Sequence, residues 1–82
     1  MIRKPIVFPA DQVLQRSTAT RFVQVANHFD ARIMIERKDK VVNAKSMLGL
    51  LSLGADDQAN MVLIAEGPDE EAAVAAMLAV LA

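Results

Sequence analysis

The sequence predicts an α+β fold: an open-faced β-sandwich in which three helices cover one face of a four-stranded antiparallel sheet, in the order βαββαβα. Three observations predict it. Short stretches alternate apolar and polar residues with period two, other stretches repeat apolar residues at helical spacing, and the two kinds are interleaved along the chain. Two of the predicted strands are joined by a short charged turn and read as a hairpin. The length, 82 residues, leaves room for one domain, taken here as residues 1–82.

Taken in order, Ile2, Lys4, Ile6 and Phe8 alternate with Arg3, Pro5 and Val7, which suits a strand with one buried face. Pro5 cannot donate to a ladder and so assigns that strand to an edge. From Arg16 to Phe29, the residues Ala19, Phe22, Val23, Ala26 and Phe29 recur at helical spacing, with Gln15 or Ser17 at the start. Ala31 to Glu36 returns to period two, with Ile33 and Ile35 on one face and Arg32, Met34 and Glu36 on the other. Arg37, Lys38, Asp39 and Lys40 read as a turn, and Val41 to Ala44 as the returning strand. Ser46 then precedes Met47 to Leu53 and Gly54, the pattern of a short helix with a serine cap in front and a glycine behind. After the polar loop Asp56 to Asn60, the nearly continuous apolar run Met61 to Glu66 reads as a central strand. Gly67 and Pro68 mark a turn, and Asp69, Glu70 and Glu71 place carboxylates where a helix N-terminus favours them. That helix runs to the end with Val74, Met77, Leu78 and Leu81 as its buried stripe.

Composition narrows the function classes. The chain is 54% apolar, but alanine supplies fourteen residues and the three aromatics are all Phe, so the core is expected to be aliphatic and shallow, with modest stability. Without cysteine there is no disulfide framework or thiolate metal site, and a single histidine excludes multi-histidine metal sites. No metal, no cofactor and no membrane span is expected, and a cytoplasmic location is. The net charge of −1 hides a split: all nine basic residues and four acids lie in positions 1–45, and the other six acids lie beyond, giving +5 and −6. Two solvated faces that segregate along the chain come first as an explanation, and a basic face for nucleic acid or phosphate second. No aromatic stacking platform supports direct nucleic-acid binding.

Catalytic constellations are poor. Gly49, Gly54 and Gly67 are scattered rather than gathered in a phosphate loop, and one histidine without a cysteine does not assemble a nucleophile, base and orienter. The chain is therefore not expected to be an enzyme. His28, near the end of the first helix, reads as a structural residue at the negative end of the dipole. Asp56 and Asp57 read as a solvated turn rather than a cation site. Ser46 is different because of its place. As a helix cap it has a structural role, and the same place accommodates a phosphate on its hydroxyl. The helix after it is apolar on more than one side, so Met47, Leu48 and Leu51 form a group that is either covered by neighbouring loops or exposed as a partner surface.

The segment Val42-Asn43-Ala44-Lys45-Ser46-Met47-Leu48-Gly49-Leu50-Leu51-Ser52-Leu53-Gly54 resembles the regulatory serine region of the HPr family, the small phosphocarriers of the bacterial sugar phosphotransferase system. Leu63-Ile64-Ala65-Glu66-Gly67-Pro68-Asp69-Glu70-Glu71-Ala72 is similar to the family's last strand and acidic helix start, and Leu14 through Phe22-Val23 falls where its first helix begins. The resemblance spans essentially the whole chain. The family's carrier motif, Leu-His-Ala/Thr-Arg-Pro-Ala, corresponds to Leu14-Gln15-Arg16-Ser17-Thr18-Ala19, so Gln15 is a degenerate phosphohistidine position. An amide has no imidazole nitrogen to accept a phosphoryl group, and loss of carrier activity is the expectation.

A glutamine there with the serine segment retained is similar to the Crh-like, catabolite-repression branch of the family. That resemblance implies a signalling protein phosphorylated on Ser46 by HPr kinase/phosphorylase using ATP, then acting as corepressor of a LacI-type catabolite control protein. Phosphate adds a charge of about −1.5 to −2 beside an apolar patch, which a partner reads through Arg or Lys. Met47, Leu48 and Leu51 would supply apolar contact, Thr20 and Arg21 would border the patch, and Lys45 and Arg21 would lie close to the phosphate. Ser17 and Thr18 replace the family's arginine and proline, and Arg16 lies about 100° around the helix from the arginine's place. A diverged HPr-like protein with a different regulatory partner, or with a residual carrier role, is the alternative.

Overall fold

The computed structural model describes residues 1–6, 16–37, 40–52 and 61–81, with backbone alone for 16–18, 51 and 81. The elements are β1 (Ile2–Ile6), α1 (Arg16–Ala26), β2 (Arg32–Arg37), β3 (Lys40–Asn43), α2 (Met47–Leu51), β4 (Met61–Glu66) and α3 (Glu70–Leu81), in the predicted order. The four strands form one antiparallel sheet in the order β1-β4-β2-β3. β1 is an edge strand, as Pro5 requires, and β4 runs between β1 and β2, as its apolar run requires. Val7, Phe8, Gln15, Leu53, Gly54 and the predicted loop Asp56 to Asn60 lie outside the described residues.

Register explains the single covered face. Ile33 pairs with Ala65, Ile35 with Leu63, and Ile6 with Met61, so these six side chains project to the same side. All six are buried together with Ala19, Phe22 and Ala26 of α1, Leu50 of α2, and Ala73, Val74, Met77 and Val80 of α3. Among the described residues Phe22 is the one aromatic fully enclosed, so the core is aliphatic as expected. On the opposite face Arg3, Ile64 and Met34 lie in one cross-strand row. The Arg3 guanidinium donates to a Glu36 carboxylate oxygen at 2.6 Å, reaching over β4, and Ile64 is only 5% exposed.

Two helix ends and one buried stripe differ from the sequence reading, and β2 and β3 are each shifted by one residue. α1 ends at Ala26 instead of Phe29 because its last carbonyls are taken by tighter bonds, His28 N–H to Val25 O and Phe29 N–H to Ala26 O, while the Asn27 amide donates to Val23 O at 2.8 Å. His28 is therefore past the helix, and exposed. α2 ends at Leu51: the Ser52 hydroxyl donates to Gly49 O at 2.6 Å, and the Lys40 ammonium donates to Ser52 O at 3.1 Å, placing a cation at the helix C-terminus. On α3 the buried stripe is Ala73, Val74, Met77 and Val80, with Leu78 only half-buried; the Leu81 side chain lies outside the described residues. From Ala72 onward this helix is apolar on all sides, so periodicity has nothing polar against which to choose a face.

The turn from β4 to α3 depends on Gly67. Its φ is +154°, and a Cβ there would lie 2.6 Å from Ala31 Cα and 3.0 Å from Ala31 Cβ. Gly67→Ala is expected to cost about 1–3 kcal/mol for backbone strain alone, with a further loss because the obstructing atom is main chain. A urea titration checks this, and an unchanged midpoint would contradict it.

Candidate functional site

The site is built on the turn between β3 and α2. Ala44, fully buried, donates its N–H to Ile33 O at 2.9 Å and ties the turn to β2. Asn43 closes the turn twice: its side-chain oxygen accepts the Lys45 N–H at 2.8 Å, and its main-chain oxygen accepts the Ser46 N–H at 3.0 Å. Ser46 is extended (φ −113°, ψ 120°), its hydroxyl oxygen accepts the Gly49 N–H at 3.1 Å, and its carbonyl accepts the Leu50 N–H at 3.0 Å. This is the predicted serine cap, and it leaves the hydroxyl proton and a lone pair for chemistry. The side chain is half-buried.

The predicted contact residues separate on inspection. Leu48 stands 81% exposed beside Ser46, whereas Met47 is half-buried against the core. Thr20 is half-buried and Arg21 exposed on α1, a helix that packs against α2. The Leu51 side chain and all of Gln15 lie outside the described residues. The Lys45 ammonium donates to Phe29 O at 2.7 Å, just beyond the C-terminus of α1. An unsatisfied carbonyl at a negative helix end is a strong attractor for a lysine.

Next to that contact, Asp69 accepts the N–H groups of Asp30 at 2.9 Å and Ala31 at 2.8 Å. The Asp30 bond holds the Asp69 carboxyl below its ordinary pKa against partial desolvation, with the Ala31 bond and the Lys45 charge adding to it. Glu70 is also lowered, first by accepting the Gly67 N–H and then by the N-terminal ammonium. Because folding depresses both pKa values, their contribution is present above the ordinary carboxylate range and is lost as pH falls through and below it. A melting series from neutral to acid pH should show that decline, and Asp69→Asn should flatten it.

Sequence reasoning missed Asn43 and Gly49 as parts of this site. Asn43 carried a turn signal, and Gly49 was an isolated glycine inside a helical pattern, which itself points to a close approach. Asp69 was placed at a helix start, but nothing in its neighbourhood announced the bonds to Asp30 and Ala31. Among the described residues no group of three or more His, Cys, Asp or Glu could hold a metal ion. No described helix is long and apolar enough to cross a membrane.

Comparison with known proteins extends over nearly the whole chain. A family model described as the PTS HPr component phosphorylation site matches residues 2–82. The HPr-like protein Crh of Halalkalibacterium halodurans is 42% identical over 79 residues, covering 96% of this chain and 94% of that protein. Crh of Bacillus subtilis is 38% identical over 74 residues, covering 90% and 87%. The crystal structure of HPr-C-His from Thermoanaerobacter tengcongensis superposes with a TM-score of 0.88 at 40% identity, covering 99% of this chain and 91% of that one. The strand order, the capped serine after β3 and these matches along nearly the whole length together establish that the chain belongs to the HPr family.

Proposed function

We propose that this chain is a regulatory HPr-like protein whose Ser46 is phosphorylated by HPr kinase/phosphorylase with ATP. Its phosphoserine form then acts as corepressor of a LacI-type catabolite control protein. It works as a single cytoplasmic domain, residues 1–82, that enzymes act upon. The observation that carries this reading is a half-buried serine hydroxyl at the surface end of a short helix, beside the 81% exposed Leu48, in a chain with Gln15 at the carrier position.

Among the described residues the Ser46 hydroxyl is hydrogen-bonded to the Gly49 N–H and touches no carboxylate or imidazole, so the base has to come from the kinase. The hydroxyl oxygen forms the new P–O bond to the γ-phosphorus of ATP, ADP leaves with the electron pair of the broken P–O bond, and the serine proton passes to that base. The added charge is then read by basic groups of the repressor, with Leu48, Met47 and Leu51 as the apolar contact and Thr20 and Arg21 at the border. Lys45 joins that surface only by giving up its bond to Phe29 O. This commitment, with Ser17 and Thr18 in place of the family's arginine and proline, favours a different regulatory partner as the second reading.

Intact-mass measurement tests the proposal in two arms. HPr kinase with ATP should add one phosphate, and phosphoenolpyruvate with enzyme I should add none. Transfer from enzyme I, or no phosphate from the kinase, would sink it. Retention of the phosphorylated chain by the catabolite control protein, but not of the unmodified one, separates the two choices of partner.

A further inference from the structure

We propose that Gly49 is a positioning residue for phosphoryl transfer to Ser46, because its missing side chain is what lets the turn hold the serine hydroxyl where it stands. This rests on Ser46 being the kinase acceptor. A Cβ at position 49 would meet Asn43 O at 3.1 Å, Ser46 Cβ at 3.4 Å and Ser46 Oγ at 3.5 Å. The first contact is tight, and Asn43 O is not free to yield. It is a main-chain carbonyl at the end of β3 that accepts the Ser46 N–H at 3.0 Å. Gly49 in turn donates its own N–H to Ser46 Oγ at 3.1 Å. Ser46 is therefore held from both sides by the two residues that an added methyl would push apart. Displacing Asn43 O moves the Ser46 amide bonded to it, and displacing Gly49 moves the N–H that orients the hydroxyl.

Local propensity argues for the opposite residue, since alanine within a helix is favoured over glycine by about 1 kcal/mol. A glycine kept at an interior helical position that lacks a positive φ is explained by the close approach of Asn43 and Ser46 instead of by backbone freedom. The same methyl would lie 3.5 Å from Oγ, the atom that takes the phosphoryl group.

The test measures kcat and KM of the kinase with ATP on four proteins: the unchanged chain, Gly49→Ala, Leu50→Ala and Leu48→Ala, each with a melting curve. Gly49→Ala should lower kcat by about ten-fold or more, as misplacing a reacting group does. Leu50→Ala empties a fully buried position under the same helix without adding atoms beside the hydroxyl. It controls for mere loosening: it should lose stability but keep more of kcat than Gly49→Ala does. Leu48→Ala, on the exposed flank, should act through KM. Wild-type kcat in Gly49→Ala, or a loss no greater than that of Leu50→Ala, overturns the assignment of Gly49 while leaving Ser46 as acceptor. Failure of the unchanged chain to take phosphate overturns both.

Discussion

Ser46→Ala should take no phosphate from HPr kinase and ATP, an all-or-none loss, while the chain remains folded. The fold survives because the serine supplies one capping bond, from the Gly49 N–H, and does not belong to the core. Removing a capping hydroxyl typically costs about 1 kcal/mol, within a range of about 0.5–2. In a domain of this size that corresponds to a fall of roughly 4–8 °C in melting temperature. Ser46→Asp separates the two roles. Its carboxylate still accepts the Gly49 N–H and so recovers most of the stability, but it offers no hydroxyl to the kinase. Phosphate appearing on Ser46→Ala would place the acceptor elsewhere. Ser52, whose hydroxyl already donates to Gly49 O at 2.6 Å, would be the first position to examine.

Phe22→Ala is expected to have the largest effect on stability, a loss of about 3–5 kcal/mol. Phe22 is fully buried on α1, facing the sheet side lined by Ile33, Ile35 and Leu63, and among the described residues the other fully buried side chains of the core are aliphatic or alanine. Removing its ring leaves a cavity that alanine neighbours are too short to fill. Small domains have stabilities of roughly 0.05–0.15 kcal/mol per residue, so this loss is a large part of the total for 82 residues. Urea titrations of the variant and of Leu48→Ala, where the side chain is 81% exposed, make the comparison. The exposed change should stay within about 0.5 kcal/mol. A Phe22→Ala loss below about 1 kcal/mol would contradict the packing described.

The architecture was largely legible because each strand and helix announces itself through neighbours in the chain. Pro5 marks an edge strand because it lacks a donor, and the apolar run Met61 to Glu66 marks a strand flanked on both sides. Ser46 marks the start of α2 because a hydroxyl finds the amide three residues on. Failures occur where the local signal is silent or outweighed. The buried stripe of α3 moved toward Ala73 and Val80 because an all-apolar helix takes its orientation from what it packs against. α1 ended short of Phe29 because Asn27 and tighter main-chain bonds consumed its last carbonyls.

The sequence by itself determined the order of elements and the serine cap, both of which are matters of residue identity and short-range spacing. Tertiary structure decided where the charges and close contacts fall. Lys45 reaches back to the Phe29 carbonyl, and Asp69 holds the amides of Asp30 and Ala31 across 39 and 38 positions of chain. It also brought Gly49 against the Asn43 carbonyl, turning a poor helix residue into the one that fits. A flexible ammonium, a carboxylate or an absent side chain imposes no periodicity on the sequence. Its partner is chosen only when the sheet and helices bring distant unsatisfied carbonyls and amides within hydrogen-bonding reach.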